Sequence, residues 1–465
     1  MISAGADEGL VVRAAHHFSQ GASMTKTVDI LLVGGTVLTM DENDSRIENG
    51  AIAIEKDKIT DLGRKEEILQ RYQGRKEIRL TESIIMPGLI NAHTHAAMTC
   101  FRGIADDMEL MDWLNDYIFP SEARNVDPQL AYWGSMLACA EMIKSGTTTF
   151  SDMYIFEDET AAAAKKSGMR CLLGEVLFDF PSPSYKTPTE GLAYTENLIR
   201  KWDGDPLINI MVEPHSLYTC SRELLEASKA LAVRYDVPLA THFLENKSEA
   251  KQLRSKLGKR ASTFLRDIGL LDERFIAFHG VVMDEEDIRL FADHGCKVVH
   301  NPESNMKLAS GVAAISSMLD HGIVVALGTD GCASNNNLDM FQEMDTAAKL
   351  EKAARLDPTV MSARTVLRMA TCNGAKALGL DSLVGTLESG KKADICIVDM
   401  DKPHLTPLYN EYSHLVYAVN GADVDSVLIN GKVVMQNRKL LTIDEEEAMR
   451  RVREIAVGVR RSLSS

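Results

Sequence analysis

Short apolar runs recur through the middle of the chain, and this recurrence restricts the fold more than any other feature of the sequence. Runs of about four to eight apolar residues are typical of strands buried on both faces of a parallel sheet. We count eight candidate strands, at residues 83–90, 147–152, 170–178, 209–214, 238–242, 275–279, 297–300 and 324–328. The stretches between them are helix-like, for example at residues 112–118, 128–144 and 222–234. Parallel strands alternating with helices predict an α/β fold, here a (β/α)8 TIM barrel.

The two ends of the chain have a different pattern. Short apolar runs are broken by turn residues, as at residues 30–33 before Gly34 and Gly35, and again at residues 394–398. This pattern indicates strands and hairpins, so we predict a small β-sandwich built from both chain ends. The expected order is a disordered leader, the first sandwich segment, the barrel, the second sandwich segment and a C-terminal helix, at residues 1–27, 28–82, 83–383, 384–440 and 441–465. Because Met24 directly precedes the first strand-like run, we regard it as a candidate initiator.

Charge and cysteine usage limit the partners that we expect. The net charge of −16 arises without long runs of one sign, which argues against nucleic acid and for a small-molecule substrate. No apolar stretch is long enough to span a bilayer, so we expect no membrane association. The eight cysteines are scattered and form no C-x-x-C pair, which favours free thiols and a cytoplasmic location.

Polar residues follow the predicted strands at their carboxyl ends. They are His93 and His95 after the first strand, Asp152 at the end of the second, His215 after the fourth, His242 and His279 at the ends of the fifth and sixth, His300 at the end of the seventh, and Asp330 after the eighth. A parallel barrel brings groups from several strand ends to one mouth, where barrel active sites lie. We therefore expect these side chains to converge on one site.

The convergence favours a metal centre. His93 and His95 are two residues apart, so an extended backbone points both imidazoles the same way, which suits zinc or ferrous iron. His242 and Asp330 would complete a set of four ligands with room for a water. The alternatives are that the two histidines are ordinary loop residues and that Asp330 caps a helix. Because predicted strand four has no lysine to bridge two ions, we expect one metal.

Two further residues are candidates for proton transfer and water orientation. Glu245 lies three residues after His242 and can turn toward a substrate as general acid and base. The alternative is a solvent-facing loop glutamate. His279 could orient the attacking water or bind the metal, and we favour orientation; the alternative is a buried histidine bonded to backbone.

These motifs resemble those of the amidohydrolase superfamily. Within it they are most similar to the 5-methylthioadenosine/S-adenosylhomocysteine deaminases, close to the triazine chlorohydrolase-like proteins. The resemblance extends from residue 28 to the C-terminal segment. It is carried by residues 86–95 (MPGLINAHTH), 101–103 (FRG), 119–124 (FPSEAR), 146–150 (GTTTF), 300–308 (HNPESNMKL), 328–331 (GTDG) and 334–336 (SNN).

The resemblance implies roles for these residues. The expected ligands of one zinc ion per subunit are His93, His95, His242 and Asp330. Glu245 is then the proton shuttle at the purine ring, His279 contacts the attacking water, and Asp330 takes its proton. The expected substrate contacts are Trp113 over the ligand, Glu122 at the ribose hydroxyls, His215 at the purine edge, and Glu245, Asp330 and Ser334. The alternatives are that Trp113 is a core residue and that Glu122 pairs with Arg124.

The resemblance implies hydrolytic deamination of an adenine nucleoside, which releases ammonia. Candidate substrates are 5′-methylthioadenosine, S-adenosylhomocysteine, 5′-deoxyadenosine and adenosine. The sequence departs from the family where a homocysteine carboxylate would need arginines, since the loop after predicted strand three offers only Lys186, and Arg170 lies at the opposite strand end. We therefore expect a preference for neutral tails.

Two other classes of function stay open at this point. One is another hydrolase activity on the same scaffold, acting on guanine, cytosine or a triazine. The other is a non-catalytic barrel scaffold, which we would expect to have lost ligand residues. A homo-oligomer is compatible with either.

Overall fold

The computed structural model of the protein describes residues 25–463. The strands at the start of this range are β1 Lys26–Val33, β2 Thr36–Leu38, β3 Arg46–Ile47, β4 Gly50–Glu55, β5 Lys58–Arg64, β6 Tyr72–Arg79 and β7 Ser83–Pro87. The central strands are β8 Leu89–Thr94, β9 Thr147–Tyr154, β10 Arg170–Leu177, β11 Ile208–Ile210, β12 Glu213–Pro214, β13 Leu239–Phe243, β14 Phe275–His279, β15 Lys297–His300 and β16 Val324–Leu327. The last strands are β17 Ile395–Asp399, β18 Val424–Ile429, β19 Lys432–Gln436 and β20 Lys439–Leu440.

The α-helices of the described chain lie mainly between the central strands. They are α1 Lys65–Arg71, α2 Leu110–Asp112, α3 Phe119–Asn125, α4 Pro128–Lys144, α5 Glu157–Ser167, α6 Pro188–Trp202, α7 Arg222–Tyr235, α8 Lys247–Leu257, α9 Ala261–Asp267, α10 Glu285–Asp293, α11 Pro302–Lys307, α12 Ile315–Asp320, α13 Met340–Arg355, α14 Ala363–Met369, α15 Cys372–Ala377, α16 Glu411–Tyr417 and α17 Glu445–Leu463. Short 3-10 helices cover Ala96–Phe101, Pro403–Leu405 and Gly421–Asp423, and a π-helix covers Trp113–Ile118.

The central strands form the predicted barrel. Strands β8, β9 and β10 pair in parallel, and β10 also pairs with β11 and β12. Strands β13 to β16 form a second parallel group, joined to the first by a bridge between Val212 and Leu239. The segment after β16 closes the barrel against β8, since the Asp330 amide donates to the His93 carbonyl at 2.9 Å. The (β/α)8 prediction is therefore confirmed, with the fourth strand in two short pieces.

Both chain ends build the sandwich. One sheet has the order β5-β4-β1-β6, and the other has the order β20-β19-β18-β17-β7-β2-β3. In the second sheet β7 pairs antiparallel with β17, so that Ile85 lies opposite Ile397. Apolar side chains from early and late strands share one core, including Ile30, Ile52 and Leu428. Because neither end supplies both sheets alone, the sandwich closes only when the two ends meet.

Several predicted boundaries were wrong. The first predicted strand, 83–90, is two strands: Ser83–Pro87 belongs to the sandwich, and only the residues from Leu89 onward enter the barrel. The chain turns at Gly88, where a Cβ atom would lie 2.1 Å from the Thr148 side chain. A continuous apolar run conceals this break. Strand β1 begins at Lys26, inside the predicted leader, and the last helix begins at Glu445. Met24 lies outside the described residues.

The cysteines and the last helix of the chain contribute to its packing. All eight cysteines are buried free thiols. Among residues 25–463, no helix combines the length and apolarity that a membrane span needs. The last helix, α17, packs against α3 and α4, with Ala448, Val452 and Val459 buried.

A buried ion pair joins barrel to sandwich at the end opposite the barrel mouth. Arg170 begins β10, and its guanidinium donates to both carboxylate oxygens of Asp394, at 2.8 and 3.1 Å. It also donates to the Pro206 carbonyl, while Asp394 accepts the Asn430 amide. Both side chains are almost fully buried. The bidentate pair satisfies charges that burial would otherwise make costly.

We expect Arg170→Leu to lower the free energy of unfolding by about 3–5 kcal/mol, because it leaves the Asp394 carboxylate buried without its cation. Urea titration followed by circular dichroism measures the change. Arg200→Leu is the matched control, because Arg200 is exposed and pairs with Glu196 on the surface. Equal stability of the two variants would contradict a linking role for the buried pair.

Candidate active site

The strand ends of the barrel bring four imidazoles together. His93 lies in β8 and His95 follows it, while His242 lies in β13 and His279 ends β14. The ring centroid of His93 lies 4.9 Å from that of His95, 5.0 Å from that of His242 and 5.7 Å from that of His279. Parallel pairing of neighbouring strands sets these spacings, since it aligns their carboxyl ends.

The ligand atoms fall into two overlapping groups. Those of His93, His95 and Asp330 all lie within 4.8 Å of one another, and so do those of His93, His242 and His279. His93 belongs to both groups and therefore stands at the centre. The structure thus brings together all four predicted ligands and adds His279 at a comparable spacing.

Hydrogen bonds fix the orientation of three of these rings. His95 Nδ1 lies 2.5 Å from the Met153 carbonyl, and His242 Nδ1 lies 2.8 Å from the His215 carbonyl. His279 Nδ1 lies 2.9 Å from Oδ1 of Asn305. A carbonyl oxygen can only accept, so each Nδ1 carries a proton, and Nε2 is the nitrogen that is left to bind a metal. Such partners are typical of histidines that bind metals. Burial lowers the pKa of His95, but the neighbouring Asp330 carboxylate outweighs it and raises this pKa to about 9, so a metal ion at His95 would replace a proton on Nε2.

His93 has no such partner. Its ring is fully buried and stacks on Phe278 at 3.8 Å, and neither nitrogen has a hydrogen bond to any residue in the described range. Burial lowers the pKa of His93 to about 3, so the ring is neutral. A buried polar atom without a partner is costly, and a metal ion would satisfy it. The donor set of imidazole nitrogens and one carboxylate fits zinc.

Asp330 is held in an unusual backbone conformation, with a φ of +62°. Its Oδ1 lies 3.1 Å from His95 Nε2, and its Oδ2 accepts from the hydroxyls of Ser304 and Ser334, at 2.6 and 2.9 Å. Burial opposes ionisation, but the contacts with His93 and His95 outweigh it and hold the pKa of Asp330 well below its usual value. The site therefore holds an oriented carboxylate.

Ser334 has a different place from the one expected. We predicted a substrate contact, but its hydroxyl donates to Asp330 at 2.9 Å, with the Gly331 carbonyl as a more distant acceptor at 3.2 Å. It is buried and is not among the described residues that line the cavity. The structure therefore gives Ser334 a supporting contact with Asp330.

A cavity opens directly above the histidine cluster. Its walls carry the predicted residues Trp113, Glu122, His215 and Glu245, together with His95, His242, His279 and Asp330. The other lining side chains are mostly apolar or aromatic, namely Met98, Leu110, Leu114, Ile118, Phe119, Met153, Tyr154, Ile155, Val176, Phe178, Tyr218 and Leu308. Among the described residues that line it there is no lysine or arginine. A mainly apolar pocket with a few converging polar groups is typical of small-molecule sites.

The segment between α2 and α3 forms one wall of this cavity. The π-helix presents Trp113, Leu114 and Ile118 to the cavity, and Glu122 follows in α3. The Trp113 indole donates to the Ala105 carbonyl at 3.2 Å. We predicted an ordinary helix at residues 112–118, and π-turns of this kind are frequent at functional sites. Glu122 is buried, and this burial raises its pKa to about 7.

Glu245 is buried at the cavity wall, so the solvent-facing alternative was wrong. Its Oε2 lies 3.8 Å from His279 Nε2. Burial and the negative charge of Asp330 raise the pKa of Glu245 to about 8. Its own amide donates to the Glu249 carboxylate at 2.6 Å, which fixes the turn after β13. The carboxyl group is therefore protonated near neutral pH and faces the metal-binding cluster.

His215 is a neutral ring in the lining of the cavity. Burial lowers its pKa to about 3, and its Nδ1 lies 3.1 and 3.0 Å from the hydroxyls of Ser216 and Thr219. The ring packs beside Phe178 at 4.9 Å. A neutral, oriented imidazole can donate to or accept from a heterocycle edge.

Sequence reasoning missed the supporting residues. Ser304 and Asn305 hold Asp330 and His279 from α11, and the aromatic residues Tyr154, Phe178 and Tyr218 line the cavity. Residues 300–308 carry the family resemblance, but the sequence alone suggested no role for them. Their place directly after predicted strand seven was the signal, since this is the same mouth of the barrel.

We expect His93→Ala to weaken zinc binding by more than about 100-fold, since loss of a supporting partner alone costs about 10–100-fold. Metal analysis after dialysis against a weak chelator measures the loss. His321→Ala is the control, because His321 lies on the surface beside Glu285. Full zinc retention in His93→Ala would contradict the assigned site.

Comparisons with known proteins agree with this geometry. The profile described as "Amidohydrolase family" matches residues 84–434. A curated relative, "5-methylthioadenosine/S-adenosylhomocysteine deaminase 1" of Syntrophus aciditrophicus, is 66% identical over 94% of this chain and 99% of its own. A second, "5′-deoxyadenosine deaminase" of Methanosarcina acetivorans, is 44% identical over 92% and 98%.

Solved structures give the same result. The crystal structure of an adenosine deaminase from Xanthomonas campestris with bound zinc is similar to this chain with a TM-score of 0.92 and 37% identity. The match covers 94% of this chain and 99% of that one. The fold, the converging histidines and the family match over most of the barrel lead to one conclusion: the chain belongs to the amidohydrolase family.

Proposed function

We propose that the protein is a zinc-dependent aminohydrolase that deaminates an adenine nucleoside to the corresponding inosine derivative. The observation that carries this proposal is the buried Glu245 carboxyl group, which lines a mostly apolar cavity together with His95, His242, His279 and Asp330 of the metal-binding cluster. Relatives named as deaminases of methylthioadenosine, S-adenosylhomocysteine and 5′-deoxyadenosine support the substrate class.

His93, His95, His242 and Asp330 would hold one zinc ion, and ferrous iron is the alternative. When bound, zinc lowers the pKa of a coordinated water toward ~7 and stabilises negative charge as it develops. His279 stands next to this set, with its Nδ1 proton directed to Asn305, so its Nε2 can accept from the water and orient it. Asp330 can accept the proton of the water.

The chemistry at the purine needs one bond formed and one broken. The water oxygen bonds to C6 as Asp330 takes one of its protons, and Glu245 donates its proton to N1. The C6–N6 bond then breaks as the amine receives a proton and leaves as ammonia. The proton left on the C6 hydroxyl returns to Glu245, so that C6=O forms and the acid is restored. Asp330 passes on the proton taken from the water. Such positioned acid and base groups are commonly worth about 10²–10⁴-fold in rate.

The cavity walls suit the rest of a nucleoside. His215 lies beside His242, with 4.7 Å between the two ring centroids. In this position its ring can contact the edge of a purine that lies over Glu245. Trp113 supplies an indole face on the wall formed by the π-helix, and Glu122 supplies an acceptor for ribose hydroxyls. Contacts of this kind reject substrates that lack the matching polar groups.

The tail of the nucleoside is expected to be neutral. No lysine or arginine lies among the described lining residues, and Arg170 is engaged by Asp394 at the far end of the barrel. A carboxylate buried without a cation is strongly disfavoured. Methylthioadenosine, 5′-deoxyadenosine and adenosine therefore fit better than S-adenosylhomocysteine.

The proposed location of the enzyme is the cytoplasm, where buried thiols without disulfide partners are the usual state of cysteines.

Other substrates and a non-catalytic scaffold are the competing proposals. A scaffold would not need a buried, unpartnered His93 with the other ligands arranged around it. A guanine, cytosine or triazine hydrolase would not need Glu122 at a sugar position. A panel of adenine nucleosides, guanine, cytosine and a chlorotriazine, assayed for ammonia, separates these possibilities.

Glu245→Gln is expected to lower kcat on methylthioadenosine by about 10²–10⁴-fold, because the amide cannot give a proton to the ring. Zinc content should stay that of the unmodified protein. The change in ultraviolet absorbance on conversion of adenine to hypoxanthine measures the rate. Glu226→Gln, an exposed residue on α7, is the control. A fully active Glu245→Gln variant would rule out the assigned role.

For S-adenosylhomocysteine we expect a kcat/KM at least about 10-fold below that of methylthioadenosine, which corresponds to about 1.4 kcal/mol. The two substrates share the nucleoside and differ in the charged amino-acid tail. 5′-Deoxyadenosine, which has no tail, serves as the control and should resemble methylthioadenosine. Equal efficiency on all three would show that the tail charge finds a partner.

A further inference from the structure

Four buried carboxyl groups lie outside the lining of the cavity. Asp152, Glu157, Glu175 and Glu213 are fully buried, and none forms an ion pair with a lysine or arginine of the described chain. Burial of carboxyl groups without a cation is costly, so each needs strong hydrogen bonds or protonation. Asp152 and Glu175 have well-defined hydrogen-bond partners, and these partners lie in different segments of the chain.

Asp152 reaches the loop from Thr94 to Ala96, which carries His95, one of the expected metal ligands. Its Oδ1 accepts from the Thr94 hydroxyl at 2.5 Å and from the Ala96 amide at 2.6 Å. These are the residues directly before and after His95. The same hydroxyl lies 2.8 Å from the Ser151 carbonyl, so these two neighbouring acceptors of β9 share its one hydrogen.

The Ala96 amide is a donor that the backbone itself leaves without a partner. Strand β8 ends at Thr94, and a 3-10 helix begins at Ala96, so His95 lies at the junction of the two elements. The first amides of a helix have no acceptor within it. Asp152 supplies that acceptor, and it thereby fixes the turn at which the His95 side chain leaves the backbone.

The next residue fixes the ring itself. The Met153 carbonyl accepts from His95 Nδ1 at 2.5 Å. Consecutive residues of β9 therefore set both the backbone and the imidazole of His95. Asp152 also lies beside the Glu157 carboxyl group, and burial together with the Asp152 charge raises the pKa of Glu157 well above its usual value.

We propose that Asp152 is a positioning residue for the metal centre, which holds the loop from Thr94 to Ala96 so that His95 Nε2 points at the ion. The proposal uses the ion of the proposed function but needs no particular substrate. Asp152 itself lies outside the cavity lining and outside the two groups of ligand atoms.

Glu175 provides a matched comparison within the same group. It is equally buried, and it accepts the amides of Phe156 and Glu157 at 3.2 and 2.9 Å. It therefore holds the start of α5 and makes no described contact with the loop around His95. If the loss of any buried carboxylate weakened zinc binding, Asp152→Ala and Glu175→Ala should weaken it equally.

The experiment measures zinc affinity by competition with a chelating dye and the thermal midpoint of the metal-free protein, both without substrate. We expect Asp152→Ala to weaken zinc binding by about 10–100-fold, as for other residues that orient ligands. Glu175→Ala should lower the thermal midpoint of the metal-free protein while zinc affinity stays within about 3-fold of the unmodified protein. Equal loss of zinc affinity in both variants would overturn the proposal.

Two further variants separate positioning from charge and from misfolding. Asp152→Asn keeps an oxygen acceptor for Thr94 and Ala96 but removes the charge. Its zinc affinity should therefore stay within about 5-fold of that of the unmodified protein, a smaller loss than the one expected for Asp152→Ala. Thr94→Val removes one of the two contacts, so it should weaken zinc binding partway and tests the proposal if Asp152→Ala does not fold. Unchanged affinity in Thr94→Val, or an Asp152→Asn loss equal to that of Asp152→Ala, would overturn it.

If the protein deaminates no nucleoside but these zinc affinities follow the expected order, the proposed substrate is wrong and the role of Asp152 stands. If deamination is as proposed but zinc affinity is insensitive to Asp152, the role of Asp152 is wrong and the proposed function stands.

Discussion

The carbonyl hydrogen bonds made by Nδ1 of the site histidines are the interactions on which the rest of the site depends. The backbone acceptors come from neighbouring strands of the barrel: Met153 in β9 orients His95, and the His215 carbonyl orients His242. Parallel pairing therefore does more than bring the rings close together. It also sets which nitrogen of the His95 and His242 rings faces the proposed ion, because the hydrogen bond at Nδ1 leaves Nε2 for the metal.

The opposite end of the barrel stabilises the fold. There the Arg170–Asp394 pair and the shared sandwich core tie the two chain ends to the strands. At that end Arg170 and Asp394 satisfy each other, whereas neither ring nitrogen of His93 at the mouth has a hydrogen bond in the described chain. This contrast separates the groups that stabilise the fold from those available to bind an ion and a substrate.

Much of the barrel and the metal site could be predicted because their signals are local. Apolar runs mark buried strands, and a polar residue after each run marks the mouth. The break at Gly88 could not be predicted, since apolar residues continue through it and only the approach to Thr148 reveals the turn. The place of Ser334 and the burial of Glu245 depend on contacts with distant segments. The π-helix at Trp113 likewise leaves no distinct pattern in sequence.

The central claim is that three imidazoles and one carboxylate surround a single zinc ion. X-ray absorption at the zinc edge of the purified protein tests this most directly. The account predicts three imidazole scatterers at about 2.0–2.1 Å together with oxygen ligands and no sulfur. Fewer than three imidazoles, or a sulfur ligand such as the buried Cys332 two residues beyond Asp330, would contradict it.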